Sequence, residues 1–330
     1  MTLDLSLTAI AVSLSSFTIA YFSINWLIRT RQGWALDRPN SRSLHTQPVP
    51  RIGGLGIWLG VIISCLVGQI SIPITIGSGL GVLLLVSLVD DIKPQPVWLR
   101  LLVHMAAAGA FAYWLLPGFS SLAVWGVVAA IVWMTNLFNF MDGSDGLAGG
   151  MTVIGFGYFG IFALLAGDGN FAMIHFSIAA AAMAFLLHNF YPAHIFLGDV
   201  GSIPLGFLAA TLGIWGWAQG VWSIGLPLMV FSPFIADATV TLIKRLLAGK
   251  KIWQAHREHY YQRIIQCGFG HRNTALAAYI LMLSVGGSAL WADLQDPSMQ
   301  LRVLLAWGGI YLILMFVFDC CYQKYHRTRG

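Results

Sequence analysis

The sequence predicts an all-α polytopic membrane protein of about 11 transmembrane helices. Only 9% of its 330 residues are charged, 58% are hydrophobic, and the mean hydropathy is +0.75. A soluble domain carries roughly 25% charged residues, so this chain has too few to cover a water-exposed surface. Its apolar runs are too long for barrel strands, and helices satisfy their own backbone polar groups in lipid. We expect residues 1–330 to form one integral membrane domain.

Apolar runs of about 20 residues, separated by polar loops, predict the individual helices. They span residues 5–28, 53–70, 73–89, 98–116, 120–138, 147–166, 171–188, 202–219, 222–243, 273–291 and 301–320. The first run has no basic region before it and no small-residue cleavage site, so we expect a retained span rather than a signal peptide.

The basic residues fall on one side of the predicted bundle. Seventeen of the 18 Lys and Arg residues follow the first, third, ninth or last span, and Arg302 is the exception. The positive-inside rule makes this side cytoplasmic, which places the N-terminus outside and the C-terminus in the cytoplasm. Topology and attraction to anionic lipids explain the net charge of +5, so we expect a lipid bilayer and no nucleic acid as partner.

Five polar clusters interrupt the apolar sequence, and all five fall on the predicted cytoplasmic side. They are Arg38–His45, Asp90–Asp91, Asn136–Leu147, Phe196–Ser202 and His256–His259. Carboxylates next to hydrocarbon are costly and are therefore functional candidates. Grouped carboxylates favour a divalent cation together with phosphate ligands. The shared side predicts one site that is open to the cytoplasm.

Asp90 and Asp91 end the third predicted span. Adjacent side chains on a helix do not share a face, so we expect one acid to face a metal and the other a substrate proton or phosphate. A polar helix end at the membrane interface is the alternative. The helix dipole disfavours a pair of acids there, and this favours the functional interpretation.

Asn136, Asn139, Asp142 and Asp145 recur at every third position and would lie near one face of a helix. The glycine after Asp142 and the glycine after Asp145 predict a break that lets backbone approach a ligand. Oxygen ligands of this kind suit Mg²⁺. A polar turn without chemistry is the alternative.

The remaining clusters supply an acid, an aromatic ring and two histidines. Asp199 lies near the start of the eighth predicted helix, where an anion is stabilised and where it would equally cap the helix. Phe196 would stack on a base or anchor in the membrane. His256 and His259 stand among basic residues, a setting that fits diphosphate binding better than zinc, with a solvated basic face as the alternative.

Two further spans carry polar side chains that the clusters do not include. Arg100 and His104 are four residues apart on the fourth predicted helix, so they would share a face that reaches the site. Asp237 lies within the ninth predicted span, where we expect it to pair with Lys244 or another cation.

Together these motifs resemble the polyprenyl-phosphate N-acetylhexosamine-1-phosphate transferase superfamily, or glycosyltransferase family 4. The resemblance runs from the Arg38–His45 loop and Pro50–Gly54 through the acidic clusters to His256–Arg263. The chain is most similar to the undecaprenyl-phosphate GlcNAc-1-phosphate transferases that initiate O-antigen chains. The motif His256-Arg-Glu-His replaces the three histidines of the peptidoglycan translocase, and Arg100 replaces a common family lysine; both departures favour the O-antigen branch.

The resemblance implies transfer of a sugar-1-phosphate from a UDP-N-acetylhexosamine to undecaprenyl phosphate, with release of UMP. It implies Mg²⁺, with Mn²⁺ as the alternative, a cytoplasmic active site in the bacterial inner (plasma) membrane, and a homodimer as the candidate assembly. The metal ligands it implies are Asp199, Asn139 and Asp91. The catalytic residues it implies are Asp90, Asp91, Asp142, His256 and His259. The donor contacts it implies are Asp145, Phe196, Asn139, Arg100 and Arg257.

Two chemical routes and two other functional classes remain open from the residues. The acceptor phosphate would attack directly while Asp90 removes a residual proton, or Asp90 or Asp91 would form a covalent aspartyl phosphate. A cation-coupled transporter is the alternative class, and Asp237 is its clear mid-span candidate. A nucleotide-sensing membrane scaffold is a third interpretation.

Overall fold

The computed structural model describes residues 2–30, 35–39, 44, 47–251, 253–254, 256–295 and 297–327. In the predicted Arg38–His45 loop, residues 40–43 and His45 therefore lie outside the described residues. The described chain is a bundle of helices with one small antiparallel ribbon, in which Leu36 pairs with Pro50. This architecture confirms the all-α polytopic class.

Thirteen α-helices and two short strands are found in the described residues. The helices are α1 (Thr2–Thr30), α2 (Gly53–Val67), α3 (Ile74–Ile92), α4 (Val97–Leu115), α5 (Ser121–Phe140), α6 (Leu147–Leu165), α7 (Gly169–Asn189), α8 (Asp199–Ala218), α9 (Gly225–Val230), α10 (Ser232–Leu247), α11 (Tyr260–Ile264), α12 (Gly270–Asp293) and α13 (Pro297–Arg327). The strands are β1 (Leu36–Asp37) and β2 (Val49–Pro50). A π-helical turn, Ile265–Phe269, joins α11 to α12.

Nine stretches of the described chain are long and apolar enough to cross a membrane. They correspond to α1, α3 to α8, α12 with the short helix before it, and α13. The predicted span 53–70 is helical only over the 15 residues of α2, which is shorter than the hydrocarbon core requires of a straight helix.

The continuous helix predicted over residues 222–243 is wrong. The structure ends α9 at Val230 and begins α10 at Ser232. Pro227 and Pro233 lie on either side of the break, and proline lacks the N–H that a continuous helix needs. Pro233 instead occupies the first turn of α10, where a missing donor costs little.

Helix α8 lies at the centre of the bundle and is buried along most of its length. It packs against α2, α3, α4, α5 and α6, so its first residue, Asp199, is surrounded by the ends of several helices. The first N–H groups of α2, at Gly53 and Gly54, donate to the carbonyl oxygens of Phe196 and Leu197 at 2.9 Å. The starts of α2 and α8 are therefore joined by backbone hydrogen bonds.

Small residues allow α2 and α8 to come into backbone contact at this junction. A Cβ atom on Gly54 would lie 2.4 Å from the Cα and the N of Gly201. Close approach through small residues is a common way for helices to pack in membranes, where dispersion contacts replace the hydrophobic effect. This contact fixes the position of Asp199 relative to the chain before α2.

Replacing Gly54 should therefore destabilise the fold. Gly54→Ala places a methyl group against the backbone of α8, and overpacking of this kind costs about 1–3 kcal/mol. Gly81→Ala on α3 is the matched control, because a Cβ there meets nothing within 4 Å. Thermal unfolding in detergent should show a lower midpoint for Gly54→Ala only. Equal midpoints for the two variants would contradict the close contact.

Candidate functional site

The carboxylate of Asp91 is bound by the N-terminus of α8. Its two oxygens accept hydrogen bonds from the N–H groups of Asp199 at 3.1 Å and of Val200 at 2.8 Å. The residue before α8, Gly198, has a φ of 75°, and a Cβ there would lie 2.9 Å from an Asp91 carboxylate oxygen. Only glycine accepts this backbone conformation without strain, so the close approach of α3 to α8 depends on it.

Arg51 binds the same acid from the chain that precedes α2. Its Nη2 donates to the carbonyl oxygen of Asp91 at 3.0 Å, and its Nε lies 3.5 Å from the Asp91 carboxylate. The Asp91 side chain is fully buried. The positive end of α8 and one guanidinium thus compensate one buried carboxylate.

Arg100 joins two further acids. Its Nη1 lies 2.9 Å from Oδ2 of Asp90 and 3.1 Å from Oδ2 of Asp199. The other oxygen of Asp90 accepts a hydrogen bond from the N–H of Gln95 at 2.6 Å. Asp90 and Asp91 therefore have separate partners, as their adjacent positions on one helix predict.

Asp142 follows the end of α5 and faces the same acids without a counter-charge. Its carboxylate forms no hydrogen bond or ion pair within the described part of the chain. Burial, reinforced by the nearby carboxylates of Asp199 and Asp91, raises the pKa of Asp142 well above its usual value. One turn earlier, Oδ1 of Asn139 accepts a hydrogen bond from Oγ of Ser202 on α8 at 3.0 Å.

The carboxylate oxygens at this end of the bundle are suitable ligands for a hard divalent cation. Four carboxylates gather here, at Asp90, Asp91, Asp142 and Asp199, and the cations that contact them are Arg51 and Arg100. The described residues contain no group of three His, Cys, Asp or Glu side chains at metal-ligand spacing. Mg²⁺ commonly takes one or two carboxylates, with water and substrate phosphates as its other ligands, so the unpaired Asp142 and the partly exposed Asp199 suit it.

A cavity of about 660 Å³ opens beside these acids. Eight polar side chains line it, namely Arg100, His104, Asn136, Asn139, His256, His259, Gln254 and Gln262. Nine apolar side chains also line it, namely Val97, Leu101, Ala129, Val132, Trp133, Phe140, Ile203, Leu242 and Trp253. Arg100 and His104 do share a face of α4 that reaches the cavity, as their spacing predicts. The cavity can hold a ligand that has both polar and apolar parts.

The histidine-bearing segment, residues 256–261, is held by Asp237 on α10 and by a contact with the end of α5. This buried acid accepts hydrogen bonds from the N–H groups of Tyr260 and Tyr261 at 2.9 Å, and its Oδ1 lies 3.2 Å from Nδ1 of His259. The hydroxyl of Tyr261 donates to the carbonyl oxygen of Phe140 at 3.0 Å. The expected pairing of Asp237 with Lys244 is wrong, because Lys244 forms its ion pair with Asp319 on α13.

His256 is the more accessible of the two histidines. Its ring lies 4.9 Å from the ring of His259. Burial, together with the nearby His259 and Arg245, lowers the pKa of His256 to about 4, so its imidazole is neutral near pH 7. A neutral imidazole both donates and accepts hydrogen bonds, which suits contact with sugar hydroxyls or phosphate oxygens.

Three residues that the sequence predicts to contact the UDP-sugar donor do not line this cavity. Asp145 is buried, accepts a hydrogen bond from the N–H of Ala193 at 3.1 Å and lies 3.6 Å from Nδ1 of His271. Phe196 is half-buried in the segment before α8, where its carbonyl oxygen binds the start of α2. Arg257 is exposed and lines a second, basic cavity. The roles assigned to these three residues stay predictions.

The structure thus brings together most of the residues that the sequence singled out. Asp90, Asp91, Asn139, Asp142, Asp199 and Arg100 meet at one end of the bundle, with His256 and His259 across the cavity. Sequence reasoning missed the roles of Arg51, Asp237 and Ser202. Arg51 and Ser202 belong to quoted motifs, but nothing in their sequence context identifies the acid or the amide that they bind.

The chain is similar to known proteins along most of its length. The family model described as glycosyl transferase family 4 matches residues 73–217. A probable undecaprenyl-phosphate N-acetylglucosaminyl 1-phosphate transferase of Bacillus subtilis (strain 168) is 27% identical over 303 residues, which are 86% of this chain and 82% of that protein. The range matched by the family model, residues 73–217, contains the acidic cluster of Asp90, Asp91, Asp142 and Asp199.

Two further relatives carry related names. An undecaprenyl-phosphate alpha-N-acetylglucosaminyl 1-phosphate transferase of Yersinia pestis is 28% identical over 310 residues, or 83% of this chain and 82% of that protein. A decaprenyl-phosphate N-acetylglucosaminephosphotransferase of Mycolicibacterium smegmatis is 27% identical over 356 residues, or 93% and 86%. The family model and the names of these relatives indicate a phosphoglycosyl transferase that is similar to the polyprenyl-phosphate N-acetylhexosamine-1-phosphate transferases.

Proposed function

We propose that the protein transfers an N-acetylhexosamine-1-phosphate from a UDP-sugar to undecaprenyl phosphate, releases UMP, depends on Mg²⁺, and initiates a surface polysaccharide of the O-antigen type. The observation that carries the proposal is that an acidic cluster adjoins, at Arg100 and Asn139, a cavity with both polar and apolar walls. The names of the relatives support the polyprenyl phosphate and the GlcNAc-1-phosphate.

The apolar part of the cavity suits the acceptor. Val97 and Leu101 on α4 line the cavity and are exposed, and Ala129 and Trp133 on α5 also line it. A polyprenyl chain is apolar along its length, so it can enter this opening sideways from the bilayer while its phosphate stays near Arg100. The same opening would be an unfavourable route for a water-soluble nucleotide.

The polar side chains of the cavity suit the UDP-sugar donor. Arg100 presents a guanidinium that matches phosphate oxygens, and His256 with Asn139 offers neutral donors and acceptors. UDP-GlcNAc is the donor that the relatives' names favour. UDP-FucNAc and UDP-QuiNAc are alternative donors, because their sugars are also N-acetylhexosamines. We place the acidic end of the bundle in the cytoplasm of a bacterial inner membrane, because 17 of the 18 Lys and Arg residues are predicted on that side.

Asp199, Asp142 and Asn139 would hold the magnesium ion, with Asp91 behind them at the start of α8. The ion, when bound, would offset the charge of the donor diphosphate and of the leaving UMP. Asp91 already binds two backbone N–H groups and is close to Arg51, so in this arrangement it orients α8.

The chemical step needs little help from a base. A phosphate monoester is largely dianionic near pH 7, since its second pKa is about 6. An oxygen of the acceptor phosphate attacks the phosphorus that carries the sugar, a new P–O bond forms, and the bond to the UMP oxygen breaks. Both oxygens of Asp90 accept hydrogen bonds, so Asp90 positions Arg100 here and would act as a base only after losing one of these bonds.

Purified protein should release UMP from UDP-GlcNAc only when undecaprenyl phosphate and Mg²⁺ are both present. Asp199→Asn keeps the shape of the side chain but removes its charge, and should lower kcat by about 100-fold or more. Asp168→Asn is the control, because this residue caps α7 at the opposite end of the bundle and asparagine caps equally well. Transport or binding of UDP-GlcNAc without UMP release would instead support a transporter or a sensor.

Narrowing the apolar opening should weaken acceptor binding alone. Ala129→Phe places a ring in the cavity and should raise KM for undecaprenyl phosphate by about tenfold, with KM for UDP-GlcNAc unchanged. Ala130→Phe is the matched control, because the adjacent residue is exposed on α5 but does not line the cavity. A rise in KM for the donor, or an equal effect of the control, would contradict the assignment.

Direct attack predicts that no sugar phosphate becomes attached to the protein. We expect acid-quenched enzyme incubated with radiolabelled UDP-GlcNAc, and without acceptor, to carry no label. Label that is retained after denaturation and lost in Asp90→Asn or Asp91→Asn would establish the covalent aspartyl phosphate route in its place.

A further inference from the structure

A second cavity, of about 950 Å³, lies on the outer side of the histidine-bearing segment. Six basic residues line it, together with one acid, Glu258. The six are Lys244, Arg245, Lys250, Lys251, Arg257 and Arg263. A cavity with such an excess of positive charge attracts anions. The UDP-sugar is assigned to the other cavity, next to Arg100, so this one is available to a different anionic ligand.

The two nearby carboxylates compensate only part of this charge. Lys250 lies 3.0 Å from a carboxylate oxygen of Glu258, which also pairs with Arg245, and these two cations hold the pKa of Glu258 below its usual value although burial alone would raise it. Asp319 on α13 pairs with Lys244 and, at 2.7 Å, with Arg263.

Two cations of the cavity remain without a carboxylate. Lys251 and Arg257 form no ion pair within the described residues. Both are exposed, so their charges are available to a ligand. These two side chains can therefore bind an anion with several oxygen acceptors, such as a phosphate.

An apolar furrow of about 430 Å³ runs between α10 and α13. Its lining is apolar apart from the hydroxyl of Tyr311. The residues that line it are Ala236, Val240, Leu304, Leu305, Gly308, Gly309, Tyr311, Leu312 and Met315. The furrow opens on the lipid-facing side of the bundle, where Leu305 and Leu312 are about two-thirds exposed.

The furrow leads along both helices towards the basic cavity. On α10, Lys244 lies four residues beyond Val240 and so continues the same face. On α13, Asp319 and Tyr322 continue the face of Leu312 and Met315 at spacings of three and four residues. The two features therefore follow one another along the same faces of α10 and α13, with the apolar furrow first and the basic cavity at the end of the bundle that carries the acidic cluster.

The dimensions of the furrow match one leaflet. The eleven steps from Leu304 to Met315 rise about 16 Å along α13, at 1.5 Å per step. Half of a hydrocarbon core is about 15 Å thick. A chain that fills the furrow would bring its head group to the height of the basic cavity.

We propose that the furrow and the basic cavity together bind one anionic glycerophospholipid, with an acyl chain against α10 and α13 and the phosphate among Lys251, Lys244 and Arg257. Apolar lining over one leaflet followed by uncompensated positive charge is complementary to this class of lipid. The site is separate from the cavity around Arg100, and the two share only Gln254 and His256. The proposal does not depend on the transferase reaction.

The charge half of the site is tested by lipid titration of delipidated protein in detergent, followed by native mass spectrometry. Phosphatidylglycerol should bind with one tight site, and phosphatidylcholine should not. Lys251→Gln should weaken the binding of phosphatidylglycerol about fivefold, the usual effect of one basic residue near a lipid head group. Arg272→Gln removes an exposed charge outside the cavity and should leave the affinity unchanged.

The apolar half is tested by filling the furrow. A Cβ on Gly308 meets nothing within 4 Å, so Gly308→Leu should fold normally, occupy the furrow and weaken phosphatidylglycerol binding about tenfold. Gly81→Leu, at an equally open position on α3, should have no effect on binding. Equal binding of the two lipids, equal losses in variants and controls, or displacement of phosphatidylglycerol by equimolar undecaprenyl phosphate would each overturn the proposal.

Discussion

The buried carboxylate of Asp91 against the N-terminus of α8 is the interaction on which this end of the bundle depends. Its oxygens occupy two N–H groups that α8 cannot satisfy within itself, and hydrogen bonds of this kind are stronger for an ionised acceptor. The same acid is bound by Arg51, which belongs to the chain before α2. One side chain therefore joins α3, α8 and α2 at the level of the site.

The remaining acids are compensated unevenly because of this arrangement. Asp91 is occupied by the helix terminus, and Arg100 is shared between Asp90 and Asp199 through a single nitrogen. Asp142, which the same bundle geometry brings near Asp199 and Asp91, receives no cation within the described residues. A rigid frame that leaves one buried acid without a cation disfavours its ionised form, and this supports a site for a cation that arrives with an anionic substrate and offsets the charge.

The sequence predicts the class of fold and the members of the acidic cluster for a simple reason. Carboxylates and amides are easily recognised in an apolar chain, and the positive-inside rule places their loops on one side of the membrane. The partners of these residues depend on tertiary packing, so neither the bond from Arg51 to Asp91 nor the role of Asp237 follows from spacing. In the sequence Asp237 is an isolated acid within a predicted span. In the fold its carboxylate accepts hydrogen bonds from two backbone N–H groups of the histidine-bearing segment.

The histidines and the acids are held by different parts of the bundle. The acids lie on α3, α8 and the end of α5, which pack tightly around the central helix, whereas the segment with His256 is fixed by Asp237 on α10 and by the contacts of Asp319 on α13. Helix α13 exposes most of its apolar surface, so its position depends on the lipid around it more than that of α8 does. Because the same segment forms a wall of both cavities, the lipid environment of α13 is physically linked to the side of the site that faces the donor.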